Sequence, residues 1–227
     1  MGAAQSHGLT PQKLPDPALM ALFDRAEGAP LAERRLALAA AFLPGDADVP
    51  SLGVGDAERL FWHAKCALFG PRAPAQFACD GCGEMIGFAV PEGFDLPARV
   101  APVARVAYNG VTYEIACPTL EGLGQGGVAA LCPDAPWSDP AFRAKAAEAL
   151  DAADPAIDVV FDVTCADCGA ENPRAFDAAA FLWADLEAFA AGVFAQVAIL
   201  ARAFGWSEAE TLALSPARRA RYVGMVT

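Results

Sequence analysis

Apolar residues recur at helical spacing through the first third of the chain. A first helix is expected from near Pro17, a residue suited to a first helical turn. Leu19, Leu22, Phe23 and Ala26 share one face, and Gly28 stops the run. A second is expected from Pro30 to Leu43, with Leu31, Leu36, Leu38 and Phe42 as apolar members and Pro44-Gly45 as its end. Glu33, Arg34 and Arg35 are most simply its solvated face. A loop over 46–53 leads to a third helix opened by Gly55-Asp56, with Asp56 as a plausible cap. Leu60, Phe61, Ala64, Leu68 and Phe69 form its stripe, and Gly70-Pro71 closes it. His63 and Cys66 on this helix have no partner nearby in sequence and are expected in the core or at its boundary.

The middle of the chain changes period. Ala75–Ala78 and Met85–Val90 are strand-like, and Pro91 to Pro102 is a turn-rich link. Val103–Tyr108 and Val111–Ala116 flank Asn109-Gly110, the favoured type I′ hairpin dipeptide. Asp139-Pro140 opens a short helix over 142–151. Ile157, Val159, Phe161 and Val163 then alternate with Asp158, Val160, Asp162 and Thr164, which predicts a half-buried strand. Glu121 to Gly127 is glycine-rich but lacks the Gly-Lys-Ser/Thr end of a P-loop and the G-x-G-x-x-G spacing. A flexible loop or weak helix start is expected there.

The last quarter is helical again. From Ala178 to Phe204, the residues Leu182, Leu186, Phe189, Val193, Val197, Leu200 and Phe204 form one continuous stripe, and most other positions are alanine. So little charge means burial against the protein's own helices or, as the lesser alternative, a face kept for a partner. The uncharged run between Glu187 and Arg202 is short of the ~20 residues of a membrane span. Gly205 ends the helix, Ser207 and Glu210 form a capping box, and Leu214-Ser215-Pro216 starts a last helix carrying Arg218, Arg219, Arg221 and Tyr222. That basic cluster neutralises nearby acids or suits a helix C-terminus; docking is the lesser alternative.

Between these regions lie two short hooks, Cys79-Asp-Gly-Cys82-Gly83 and Cys165-Ala-Asp-Cys168-Gly169. Each C-x-x-C supplies two thiolates from one tight turn, and the following glycine takes the positive φ that the turn needs. Two hooks supply four sulfurs, which suits a closed, structural tetrahedral Zn²⁺ site on Cys79, Cys82, Cys165 and Cys168. Ordinary zinc ribbons separate their hooks by roughly 15–20 residues, whereas here the insert runs from Gly83 to Thr164. Four buried thiols or two disulfides are the alternatives, but a disulfide inside each hook would leave the two halves untied. Cys117 and Cys132, each before a proline, are expected as buried or neutral thiols.

Composition narrows the function. The chain is 55% hydrophobic with net charge −12, so it is a folded protein without the basic footprint of a nucleic-acid binder. The first 17 residues lack the apolar segment of a secretory signal, and thiolates held by metal fit a reducing cytoplasm. His7 and His63 are the two histidines. His7 is expected to be solvated, and neither lies near a hook, so no hydrolytic metal site is expected. The expected architecture is α+β: a loose leader (1–16), N-terminal helices (17–73), a zinc-ribbon β module with an inserted hairpin and helix (74–176), and a C-terminal arm of one long and two short helices (177–227).

Several segments together resemble the baseplate hub assembly chaperone family of contractile-tailed phages of the T-even type, with relatives in prophage tails and phage-tail-like injection systems. They are Phe181-Leu-Trp-Ala-Asp-Leu-Glu-Ala-Phe189, Leu200-Ala-Arg-Ala-Phe-Gly-Trp-Ser-Glu208, and Leu212-Ala-Leu-Ser-Pro-Ala-Arg-Arg219 with Tyr222. Leu68-Phe-Gly-Pro71 and Asp154-Pro155 also match, so the likeness runs from about Leu52 onward. It departs at Ala198, where the pattern often has histidine, at Ala217, where it has an aromatic, and in a less basic long helix. The resemblance implies a non-enzymatic assembly factor or minor baseplate component. Hub or tape-measure proteins would be its partners, with Trp183, Trp206, Arg218, Arg219 and Tyr222 as contacts. It implies work in the bacterial host cytoplasm or in a virion or tail-like particle, without nucleic acid or membrane insertion. A zinc-ribbon adaptor or interaction module in nucleic-acid metabolism is the alternative.

Overall fold

The computed structural model describes residues 10–122 and 127–227. The expectations for His7, for the start of the leader and for the glycine-rich stretch at 123–126 lie outside the described residues.

The fold is α+β. Helices α1 (Asp16–Ala26), α2 (Leu31–Phe42) and α3 (Val54–Phe69) come first. Three separate antiparallel hairpins follow: β1 (Pro74–Ala78) with β2 (Met85–Ala89), β3 (Val103–Tyr108) with β4 (Val111–Ala116), and β5 (Val160–Thr164) with β6 (Glu171–Ala175). Helix α4 (Pro140–Ala153) lies between the last two hairpins, and α5 (Ala178–Phe204), α6 (Glu208–Leu212) and α7 (Pro216–Val223) end the chain.

One core joins the chain's two ends. Leu19, Leu22 and Phe23 of α1, Leu38 and Phe42 of α2, and Leu60 and Phe61 of α3 pack with Leu182, Leu186 and Val193 of α5. Phe88, Phe94, Phe161 and Phe176 extend this core beneath the hook-bearing hairpins. The N-terminal helices, the hook-bearing hairpins and α5 therefore share one interior. The insert has a second core, where Phe142 of α4 meets Tyr108, Tyr113 and Trp137 beside Val106 and Ile115. Buried ion pairs lock the seams. Arg59 of α3 holds the fully buried Asp154 at 2.9 Å and also pairs with Asp56. Arg35 holds Glu58 and Asp177, and Glu58 accepts the Ala178 N–H at the start of α5.

Several expectations need correction. Asp56 does not cap α3, which starts one turn earlier after Gly53; it pairs instead with Arg59 and Arg99. Arg34 and Arg35 are not solvated: Arg34 stacks on Trp183, and Arg35 is the half-buried centre of an ion-pair network. The inward stripe of α5 is buried or half-buried as far as Leu200, but Phe204 at its end is 43% exposed; Phe194, off the stripe, is 44% exposed. By length and composition alone, this 27-residue helix is apolar enough to cross a membrane, although its longest uncharged run is short.

Candidate metal centre

Each hook is built the same way. In the first, Cys79 N–H bonds to Glu84 O at 2.8 Å, and Gly83 N–H returns to Cys79 O at 2.9 Å. In the second, Cys165 N–H bonds to Ala170 O and Gly169 N–H to Cys165 O, at 2.9 and 3.0 Å. Gly83 and Gly169 have φ of 80° and 74°, the left-handed conformation that favours glycine. The flanking strands, β1–β2 and β5–β6, bring the two turns face to face.

The hooks, 83 residues apart between Cys82 and Cys165, meet. Their four Sγ atoms all lie within 4.8 Å of one another. Cys79 and Cys168 are 3.6 Å apart, and Cys82 and Cys165 are 3.8 Å apart. A tetrahedral centre with metal–sulfur bonds of about 2.3 Å separates its sulfurs by about 3.8 Å. The cross-hook spacing matches that edge and is far longer than an S–S bond of about 2.05 Å, so these thiols are free rather than paired as disulfides. The donor set fits a metal ion. Cys79 and Cys165 are buried; Cys82 and Cys168 sit at the solvent side.

The charge state of the sulfurs follows from their neighbours. The Cys82 backbone N–H, the Gly81 N–H and the facing thiols favour the Cys79 thiolate, and its pKa falls to about 6. The Glu84 N–H also favours a Cys82 thiolate, but the crowd of sulfurs from Cys168, Cys79 and Cys165, together with burial, outweighs it and pushes Cys82 up to about 12. Four thiolates cannot share this space without a cation.

A shell of side chains holds one hook to the other. Asn172 on β6 is fully buried; its amide donates to Val163 O and Ala170 O, and its Oδ1 accepts the Asp80 N–H at 2.8 Å. Arg174, also on β6, reaches both Asp80 carboxylate oxygens and Ala78 O, and lies over the Phe77 ring at 4.2 Å. Sequence reasoning missed both residues. Glu171-Asn-Pro-Arg-Ala175 has no apolar alternation, and the one available signal was the symmetry of the hooks, since the first is flanked by strands on both sides.

The other singled-out residues lie elsewhere. Trp183 is buried and stacked on Phe23 at 5.7 Å. Arg219 is also buried, bonded to Asp16 and, at 2.8 Å, to Gln196. Both serve the fold, which corrects their reading as partner contacts. Trp206 and Tyr222 form an aromatic group with Phe204 at the end of α5, and Arg218 is exposed nearby. His63 bonds to Asp95 at the boundary, and Cys66, Cys117 and Cys132 do not join the cluster. Burial raises the thiol pKa of Cys66 and Cys117.

Compared with family models, curated proteins and solved structures, the chain matches none. What fold and site define is an α+β chain whose two distant hooks converge on a four-cysteine cluster.

Proposed function

We propose that this chain is a non-enzymatic assembly factor, or a minor component, of the baseplate hub of a contractile phage tail or tail-like injection system, and that a structural zinc ion occupies the cysteine cluster. Four thiolates at tetrahedral spacing suit zinc, and they leave no position for water or substrate, which makes the ion structural. When bound, the ion supplies folding free energy, on the order of 10 kcal/mol in small zinc modules. Cys79, Cys82, Cys165 and Cys168 would hold it, while Asn172 and Arg174 orient the hooks.

The observation that carries the tail reading is the C-terminal arm. The motifs that resemble the hub chaperones lie on α5–α7, where Phe204, Trp206 and Tyr222 form an aromatic group beside the exposed Arg218. An aromatic group with an arginine at its rim suits protein recognition. The net charge of −12 argues against the alternative of a nucleic-acid adaptor.

The test is co-purification of the tagged chain with hub and tape-measure proteins of a contractile tail, alongside tail assembly in its absence. Capture of a hub protein, lost with Trp206→Ala plus Arg218→Glu, is expected. Normal tails without the chain, and no tail protein bound, would overturn the reading. A band shift with DNA or RNA at low salt would favour the adaptor instead.

A further inference from the structure

Helix α5 has a second apolar face that nothing among the described residues covers. Ala184, Ala188, Ala191, Ala195 and Ala198 step by four, three, four and three, and all are exposed. By helical geometry they point directly away from Leu182, Leu186, Val193 and Leu200, which are buried in the core. A solvent face of an ordinary amphipathic helix carries charge, but this one is flanked by Phe194, 44% exposed, and Ile199. At its far end the face runs into an open groove of about 430 Å³ between α5 and the C-terminal tail, lined by Ala198, Ile199, Arg202, Ala203, Val226 and Thr227.

We infer that this face is a two-fold interface between two copies of this chain, with their α5 helices antiparallel about a point between Phe194 and Ala195. The charges select that occupant and that direction. Glu187 and Arg202 are the two charged residues along the exposed side of this stretch. They lie equally far from the point between Phe194 and Ala195, about 22 Å from each other along the axis. A second α5 laid antiparallel therefore sets Glu187 beside the partner copy's Arg202, and Arg202 beside its Glu187. A parallel pair would set like against like. A symmetric interface of this kind needs a self-complementary patch, which this face is. The groove at Arg202 would receive the opposite helix near its Ala184 and Glu187, and alanine contacts let the axes come to about 8 Å. A lipid surface is the poorer occupant, because Glu187 would have to be desolvated with no partner. The inference does not rest on the tail reading, since Phe204 and its aromatic neighbours continue the inward stripe.

The experiment is sedimentation equilibrium of the purified full chain, without tail proteins, across a concentration series. A reversible dimer is expected. Ala195→Glu, a good helix former on an exposed site, should weaken it about tenfold or more by placing charge at the two-fold. Glu187→Arg and Arg202→Glu should each weaken it about fivefold, and the double swap should restore it. Unchanged thermal melts of the dissociated variants would show that the fold is intact. A monomer at every concentration, a dimer unmoved by Ala195→Glu, or a double swap no better than its singles would overturn the inference. Vesicle binding or foreign-protein capture by a strictly monomeric chain would also count against it.

Discussion

At the scale of single residues, two neighbouring arginines have opposite roles. Arg218 is exposed, while Arg219 is buried between Asp16 on α1 and Gln196 on α5. Removing one member of a buried pair strands the other, at a cost of about 3 kcal/mol. Arg219→Ala should therefore lower the urea midpoint clearly and Arg218→Ala should not; equal effects would contradict the geometry. In the metal centre, Gly81 is the sensitive position. A methyl group there would meet the Ala170 side chain at 2.9 Å and the Cys168 sulfur at 3.3 Å, whereas one at Gly87 would meet nothing within 4 Å. Gly81→Ala is expected to weaken metal retention in a chelator competition by about tenfold or more, comparable to loss of a residue that orients ligands, and Gly87→Ala to leave it unchanged.

At the scale of elements, the legible parts of the sequence were those fixed by local chemistry. Asn109-Gly110 takes φ of 49° and 80° and sets the register of β3 on β4 as its flanks require. Helix α5 runs from Ala178 to Phe204, stopped by Gly205 in the left-handed conformation, and Ser207 and Glu210 form their reciprocal cap. Ile157, Val159, Phe161 and Val163 are the half-buried set of their segment, although the ladder starts only at Val160, where pairing with Ala175 begins. The illegible parts depend on distant partners. Strand β6 forms because the second hook turns the chain back along β5, with Pro173 tolerated since a two-stranded ribbon is all edge. Arg35 looked like a surface residue because Glu58 and Asp177, which bury it, lie far away in sequence. The cysteine quartet was legible because its spacing is chemical rather than conformational. The core-facing stripe of α5, with Leu182, Leu186, Val193 and Leu200, was legible from its spacing, whereas the outward alanines were visible as composition alone.

At the scale of the whole molecule, the cluster ties together the two ends of an insert with its own core, while α3 and α5 close the main core around both hairpins. Loss of metal should loosen this junction. Chelation is expected to lower the melting temperature by roughly 10 °C or more, and an unchanged melt would show that the cluster does not carry stability. Acid should act likewise. Metal needs thiolates, and Cys82 alone would hold its proton up to about 12. Binding at neutral pH must therefore release protons, tighten as pH rises, and fail as pH drops toward the Cys79 value of about 6. Proton release measured in two buffers of different ionisation enthalpy checks the sign.

The reach of Asn172 and Arg174 across to Asp80 bears on how the protein acquires and gives up its ion. Their hydrogen bonds tie the two turns to each other beside the sulfurs, with Cys82 and Cys168 at the solvent side. Exchange with an external donor then requires only the outer pair to let go, not global unfolding, so isotope turnover should outpace the unfolding rate. Substituting Asn172 with alanine should bring the two rates together.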